Sequence, residues 1–355
     1  MKKRIIPIFV PHQGCPHDCI FCNQERITGV STTVTPDDVR NIIEECLPTI
    51  DKDAEVEIAF FGGSFTAIDI EIQKSLLSVA KEYVDKGLVH DIRMSTRPDY
   101  ITDEILETVK AYGTTIIELG VQSLSSDVLR DSARGHNAEV VYKSAELIKK
   151  YGINLGLQMM VGLPSDTEEK DLFTAKEFIK MDPFCVRIYP TLVIRETGLE
   201  KLLYNGKYEP YTLEKSVSIV KKVLVLYNIH DINVIRVGLQ VTEDIQLGKD
   251  VISGPYHPAF RELAEAEMIR DYIANAVKGE NAKEIVIGVN RKNISRVIGN
   301  KKSNVKYIKE NLNMNLKTKE MDIDNDEFII YLDEKEKETF KLKDMYECLY
   351  KIYNL

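Results

Sequence analysis

Arg4-Ile5-Ile6-Pro7-Ile8-Phe9-Val10 and, after three residues, Gly14-Cys15-Pro16-His17-Asp18-Cys19-Ile20-Phe21-Cys22 form the stretch on which the reading of this chain turns. The first part is an apolar run of strand length. The second carries turn residues and three cysteines spaced C-x3-C-x2-C. Cysteines this close on one loop can turn their sulfurs toward a common point without long-range folding, and thiolates are soft ligands that suit iron–sulfur clusters. A cluster normally takes four protein thiolates, so three leave one iron with an open position. An open position is where a small molecule binds and reacts, as catalytic zinc keeps a site that structural zinc closes. These residues also allow zinc held by the three thiolates with His12 or His17, or three unrelated buried thiols.

Beyond this loop, strand-like runs alternate with amphipathic helical patterns. The periodicity predicts strands at Arg4 to Val10, Glu55 to Phe61, Asp91 to Thr96, Thr115 to Val121, Asn154 to Val161, Cys185 to Tyr189 and Asn233 to Val237. Helices are expected at Pro36 to Leu47, Ile70 to Lys86, Asp103 to Tyr112, Ala138 to Tyr151 and Glu168 to Met181. This rhythm calls for an α/β fold with a parallel sheet, either doubly wound or a full or partial (βα) barrel. Both architectures place the active site at the C-terminal strand ends, where the cysteine loop falls. Later strand ends carry Gly62-Gly63-Ser64, whose glycines permit close backbone approach, then Thr96-Arg97-Pro98-Asp99-Tyr100, Gly120-Val121-Gln122-Ser123, Arg134-Gly135-His136 and Gly162-Leu163-Pro164. Each could equally be a tight turn, a helix cap or a solvated charge.

With an aromatic before its last cysteine, the C-x3-C-x2-C loop resembles the signature of the radical S-adenosylmethionine (SAM) superfamily. The resemblance implies a barrel of the radical SAM type and a 4Fe-4S cluster on Cys15, Cys19 and Cys22. Its open iron would be chelated by SAM, and one electron would cleave SAM to methionine and a 5'-deoxyadenosyl radical. It further implies Phe21 against the adenine, the Gly62-Gly63 backbone on the SAM amino group, and Gln122 and Arg134 as SAM contacts, Arg134 suiting the carboxylate with its forked donors. A one-electron reductant such as ferredoxin or flavodoxin would be a partner. Ser95 stands where these proteins carry an acidic residue near the ribose.

The run Arg187-Ile188-Tyr189-Pro190-Thr191-Leu192-Val193-Ile194-Arg195-Glu196-Thr197-Gly198-Leu199, with Gly206-Lys207-Tyr208 and Tyr211, is similar to the pattern of the Elongator catalytic subunit family, as is the Thr-Arg-Pro-Asp-Tyr run. The resemblance covers residues 1 to about 240. It implies Arg187, Tyr189 and Arg195 facing the substrate chamber and transfer RNA as the substrate. The family's own cysteines are more widely spaced, and its acetyltransferase domain has no counterpart expected in the residues that follow here. Coproporphyrinogen oxidases of the oxygen-independent type share Gly-Leu-Pro but have an acidic residue where this chain has Gln158.

The expected domains are a radical SAM barrel at 1–250, a helical connector at 251–280 and a basic α+β module at 281–355. The loop Gly254 to Phe260 includes His257, a weak site candidate beside Pro258. Between 281 and 320 there are ten basic residues against three acids, Glu284, Glu310 and Glu320, a positive patch on a chain of net charge −9. The predicted order is strand (Glu284 to Val289), helix (Asn293 to Ile298), loop (Gly299 to Ser303), helix (Asn304 to Asn311) and two strands (Leu316 to Ile323, Glu327 to Asp333). That layout resembles a KH domain, in which a Gly-x-x-Gly loop clamps an RNA backbone. Here the loop reads Gly299-Asn300-Lys301-Lys302, so Gly299, Lys301 and Lys302 are candidate RNA contacts.

At 44% apolar and 29% charged residues the 355-residue chain reads as globular, large enough for one big domain and a small one. Cys46, Cys185 and Cys348 lie apart from the triplet with no disulfide-framework spacing, which fits a reducing cytoplasm. The first apolar run is too short for a signal peptide or a membrane span, so no membrane partner is expected. Three functions stay open: a radical SAM enzyme acting on RNA, one acting on a small metabolite or porphyrin, and a non-catalytic zinc- and RNA-binding protein.

Overall fold

The computed structural model describes residues 3–10, 19–23, 26, 33–239 and 245–355. Cys15, His12 and His17 lie outside the described residues.

Strands β1 (Lys3–Val10), β2 (Glu55–Gly62), β3 (Asp91–Thr96), β4 (Thr114–Gln122), β5 (Asn154–Val161) and β6 (Cys185–Pro190) are followed by a two-residue β7 (Val193–Ile194) and by β8 (Val234–Val237). Seven of them make one sheet in the order β1-β2-β3-β4-β5-β6-β8, every pair parallel. Parallel neighbours need crossovers, supplied by helices α1 (Pro36–Cys46), α2 (Ile70–Asp85), α3 (Asp103–Ala111), α4 (Ser126–Asp131), α5 (Ala138–Lys150), α6 (Glu168–Met181) and α7 (Gly198–Tyr204). The starts are written into the sequence. Side chains of Thr35, Asp69, Thr102, Asn137, Thr167 and Thr197 each accept from a backbone N–H in the first turn, caps that contribute about 1 kcal/mol apiece.

One set of alternate strand residues, including Ile6, Ile8, Ile58, Phe60, Ile92, Met94, Ile117, Leu119, Leu155, Leu157, Val186 and Ile188, forms the buried core. The other set carries Glu57, Arg93, Glu118, Gln158 and Arg187. The sheet curls so far that Arg187 of β6 lies over the Phe61 ring of β2, 5.0 Å from its centroid, although β3, β4 and β5 stand between them in the strand order. With β1 and β8 at its two edges this is a curled half-barrel, which settles the choice between doubly wound and barrel forms. The short β7 pairs antiparallel with β9 (Val251–Ser253), a ribbon that sequence periodicity did not indicate.

The chain divides into two compact units. One is 1–211 with 234–256; the other is 212–233 with 257–355. The second holds α8 (Leu213–Ile229), α9 (Phe260–Ala276), β10 (Glu284–Val289), α10 (Ile294–Ile298), α11 (Ser303–Leu312), β11 (Asn315–Glu320), β12 (Glu327–Leu332), β13 (Lys335–Lys341) and α12 (Leu342–Ile352). Its sheet runs β11-β10-β12-β13, with β10 and β11 parallel and the other pairs antiparallel. The helix expected as a separate connector is α9, which belongs to this unit: it buries Phe260, Ala264, Met268, Ile269 and Ile273. Segment 212–233, expected in the barrel, joins it, with buried Lys221 paired to Glu267 at 2.9 Å and Asp271 at 2.7 Å. The strand–helix–helix–strand order of the tail is as expected, and β13 and α12 extend it. Among the described residues no helix is long and apolar enough to cross a membrane.

Candidate active site

Strand ends β2 to β5 and the loop after β1 enclose a cavity of about 110 Å³. Its lining includes Cys19, Phe21 and Cys22, the turn Gly62-Gly63-Ser64, Ser95-Thr96-Arg97, and Gly120, Gln122, Arg134 and Gln158. The glycine turn is tied to β1 by Gly63 N donating to Val10 O at 3.0 Å. Gly62 sits at φ +103°, and a Cβ there would stand 2.5 Å from Val10 O, so only glycine fits. At the end of β4 the register with β5 skips a residue between Gly120 and Gln122, and Gln122 is driven to φ +75°. Bulges of this kind re-aim side chains beside active sites.

The cysteine loop is held from two sides. Ile20 N donates to Ser132 O at 3.2 Å, Leu199 N donates to Ile20 O at 2.6 Å, and Cys22 N closes a turn on Cys19 O at 2.9 Å. Ile20 and Phe21 pack against Val193, Leu199 and Tyr208, so Phe21 anchors the loop as well as lining the cavity. Farther along, the Arg26 guanidinium grips Glu196 and, at 2.9 Å, Asp250. Arg195 is exposed and donates to Lys249 O at 2.5 Å; it does not line the cavity.

Two buried guanidinium groups converge on Cys19. Arg134 Nη1 donates to its Sγ at 3.3 Å and Arg97 Nη1 at 3.7 Å. Arg97 is only 2% exposed and holds both oxygens of Asp99 at 2.9 Å and Arg134 O at 2.7 Å. Burial raises Asp99, but Arg97 outweighs it and keeps the carboxyl below its usual range. Nearby His136 is pushed down to about 4 by burial and then by Arg134, so it is neutral at pH 7. Arg97 and Asp99 are not among the site residues expected from sequence. Their signal was the Thr-Arg-Pro-Asp-Tyr run.

Behind the cavity an ionic ladder crosses the inner face of the sheet. Lys3 pairs with Glu57 at 3.1 Å, Glu57 with Arg93 at 2.6 Å, Arg93 with Glu118 at 3.0 Å, and Glu118 with both Nε and Nη2 of Arg187. Gln158 Nε2 adds a bond to Glu118 at 3.2 Å and reaches Ser95 Oγ at 3.4 Å. Burial raises Glu118, yet Arg187, then Arg93 and Gln158, bring it below the ordinary glutamate value. Cys185, beside this ladder, is pushed up to about 12 by burial and then by Glu118, an inert thiol.

The radical SAM superfamily domain matches residues 9–176, and the radical SAM C-terminal domain matches residues 183–270. This chain belongs to the radical SAM superfamily. Over 240 residues it is 34% identical to human Elongator complex protein 3, covering 62% of this chain and 42% of the human protein. It is 33% identical over 198 residues to the Schizosaccharomyces pombe Elongator complex protein 3, covering 50% and 36% of the two chains. To the tRNA uridine(34) acetyltransferase of Methanocaldococcus infernus it is 27% identical over 259 residues, covering 61% and 48%. The chain thus spans less than half the length of each of these relatives. The solved structure of M. infernus Elp3 lacking residues 1–46 superposes with a TM-score of 0.60 at 22% identity, over 76% of this chain and 64% of that one, a likeness of fold.

The described side chains of this radical SAM protein fit the superfamily's cofactors. Gln122 Oε1 and Arg134 Nε are buried in the cavity lining with no hydrogen-bond partner among the described residues. Such an orphan costs about 1–3 kcal/mol, so the cavity is built for a polar ligand. Cys19 and Cys22 supply soft donors on its wall, and donors to sulfur such as Arg97 and Arg134 are among the groups that tune clusters.

Proposed function

We propose that this chain is a radical SAM enzyme that modifies RNA, with transfer RNA as the substrate. In this reading Cys15, Cys19 and Cys22 would hold a 4Fe-4S cluster, and the chemistry it would supply, with an electron from a ferredoxin- or flavodoxin-like partner in the cytoplasm, is cleavage of SAM to methionine and a 5'-deoxyadenosyl radical. The chain's own part is position and exclusion of water. Gln122 and Arg134, with their orphaned polar atoms, would bind SAM, the Gly62-Gly63 backbone would receive its amino group, and Phe21 would border the adenine. The Arg97–Asp99 pair keeps Arg134 and the cysteine loop in place.

The observation that carries the reading is the orphaned pair Gln122 and Arg134 facing Cys19 and Cys22 in one strand-end cavity. The RNA part is supported by the relatives named above and by the second unit. There Gly299 (φ +75°) has no room for a Cβ, which would stand 2.9 Å from Asn304 N and closer still to Ser303 Oγ. Lys301 (φ +50°) and Lys302 (φ +61°) are left-handed and exposed, so Lys302 adopts the conformation a glycine would take while offering a charge to phosphate. His257 contacts Asn300 of this loop, its Nε2 lying 3.2 Å from Asn300 Nδ2.

The test is anaerobic reduction of reconstituted protein with SAM, with or without bulk transfer RNA. 5'-Deoxyadenosine formation raised by the RNA is expected. Formation indifferent to RNA would replace the RNA with a small substrate, and a zinc-loaded protein without cleavage would overturn the enzyme reading.

A further inference from the structure

The ionic ladder alternates in sign from Lys3 through Glu57, Arg93 and Glu118 to Arg187, and then the alternation breaks. The next inner-face residue is Arg236 on β8, in direct register with Arg187. Strands are spaced about 4.8 Å apart, so two guanidinium side chains stand side by side. Arg187 is neutralised by Glu118. Arg236 Nε donates to Gly238 O at 3.2 Å, and among the described residues no other hydrogen bond and no carboxylate pairs with it. Burial lowers it from the ordinary arginine range, Tyr189 opposes this and Arg187 adds to it. A half-buried cation with no counter-ion among the described residues is costly unless a ligand supplies the anion.

The surroundings say what kind of ligand. Arg187 lies over the ring of Phe61, and Phe61 is the register partner of Phe9, an aromatic left 37% exposed on β1. Aromatic faces stack bases, and forked guanidinium donors match phosphate oxygens. We propose that the inner face of the half-barrel seats a nucleotide of the substrate RNA, with Arg236 receiving its phosphate and Phe61 and Phe9 flanking its base. This rests on the RNA-directed reading above, and Arg236 is a phosphate-binding residue for it.

The experiment uses the full chain and the variants Arg236→Gln and Arg236→Lys. Thermal unfolding is followed in inorganic phosphate against chloride at matched ionic strength, and bulk transfer RNA binding is followed over a salt series. Phosphate is expected to raise the midpoint of the natural protein and of Arg236→Lys but not of Arg236→Gln. In chloride, Arg236→Gln should unfold no earlier than the natural protein, because removing an unpaired cation beside Arg187 relieves repulsion. Its transfer RNA affinity should fall about three- to tenfold, and the slope of log K against log salt should shrink by about 0.7–0.9, one phosphate contact. A phosphate effect equal in all three proteins or absent from all, or an Arg236→Gln protein that unfolds early in chloride, would overturn the subsite. Natural protein that ignores transfer RNA yet shows the Arg236-dependent phosphate effect would keep the subsite and remove the RNA reading.

Discussion

The inner face of the half-barrel and the Gly299–Lys302 loop of the second unit both concentrate charge, and they handle it in opposite ways. Inside the sheet Glu57, Arg93 and Glu118 are 1–3% exposed, and each has an opposite charge within 3.0 Å. On the loop, Lys301 and Lys302 stand in solvent. Buried pairs fix geometry and tolerate no single removal, because the survivor is left charged in a low dielectric. Exposed lysines supply a field that falls off with salt and depends little on any one of them. The first region is suited to holding reacting groups, the second to attracting a polyanion.

The cysteines are where that contrast predicts the largest effect. Replacing Cys19 or Cys22 with Ala should abolish iron retention and SAM cleavage together, read by metal analysis and 5'-deoxyadenosine formation, while Cys185→Ala and Cys348→Ala retain both. Normal iron content in either of the first two would remove the ligand assignment.

The ladder should respond next. Arg93→Met strands Glu57 and Glu118 on one side and should cost about 3–5 kcal/mol in denaturant unfolding. The same region sets an acid limb. Glu118 is held below the ordinary value of 4.5, so its stabilisation is complete at neutral pH and is withdrawn as pH falls through its lowered folded value. Glu118→Gln should therefore be less stable at pH 7 and lose less on acidification; an acid limb as steep as the natural protein's would show that other carboxylates dominate it.

Gln122 tests whether strain in the barrel serves the ligand. At φ +75° a side chain costs about 1 kcal/mol that glycine does not. Gln122→Gly should raise unfolding stability by up to about 1 kcal/mol, offset in part by the freer unfolded chain, while SAM cleavage falls. Stability and cleavage dropping together would mark Gln122 as a packing residue instead.

Much of this was legible in the sequence. Strand-length apolar runs, threonine caps before amphipathic segments and the cysteine loop after the first strand pointed to the repeated βα units and the strand-end cavity. What escaped was long-range. Arg97 finds Cys19 across 78 positions and Arg134 across 37, so of its partners described above only Asp99 is near it in sequence. Glu57, Arg93 and Glu118 are single charged residues inside strands, and their partners become visible only once the strands are in register. The β7–β9 ribbon is too short to carry a period. The exposed placement of Arg195 follows from that ribbon, whose pairing turns its donors to Lys249.

The smallest stability effect belongs to the loop, and it is the sharpest test of the comparison. Lys301 and Lys302 make no ion pair among the described residues and sit in solvent, so Lys301→Glu with Lys302→Glu should leave unfolding within about 0.5 kcal/mol of the natural protein. Transfer RNA binding should nonetheless weaken, with the salt slope smaller by about 1–2 if both lysines meet phosphates. Lys302→Gly separates charge from shape: it keeps the left-handed turn at φ +61° without strain and removes one cation. Affinity restored or raised by glycine would mean that close backbone approach matters more than charge here. Affinity lowered by glycine as much as by glutamate would mean that the lysine itself is the contact, and binding unchanged in every variant would take the RNA interface away from this loop.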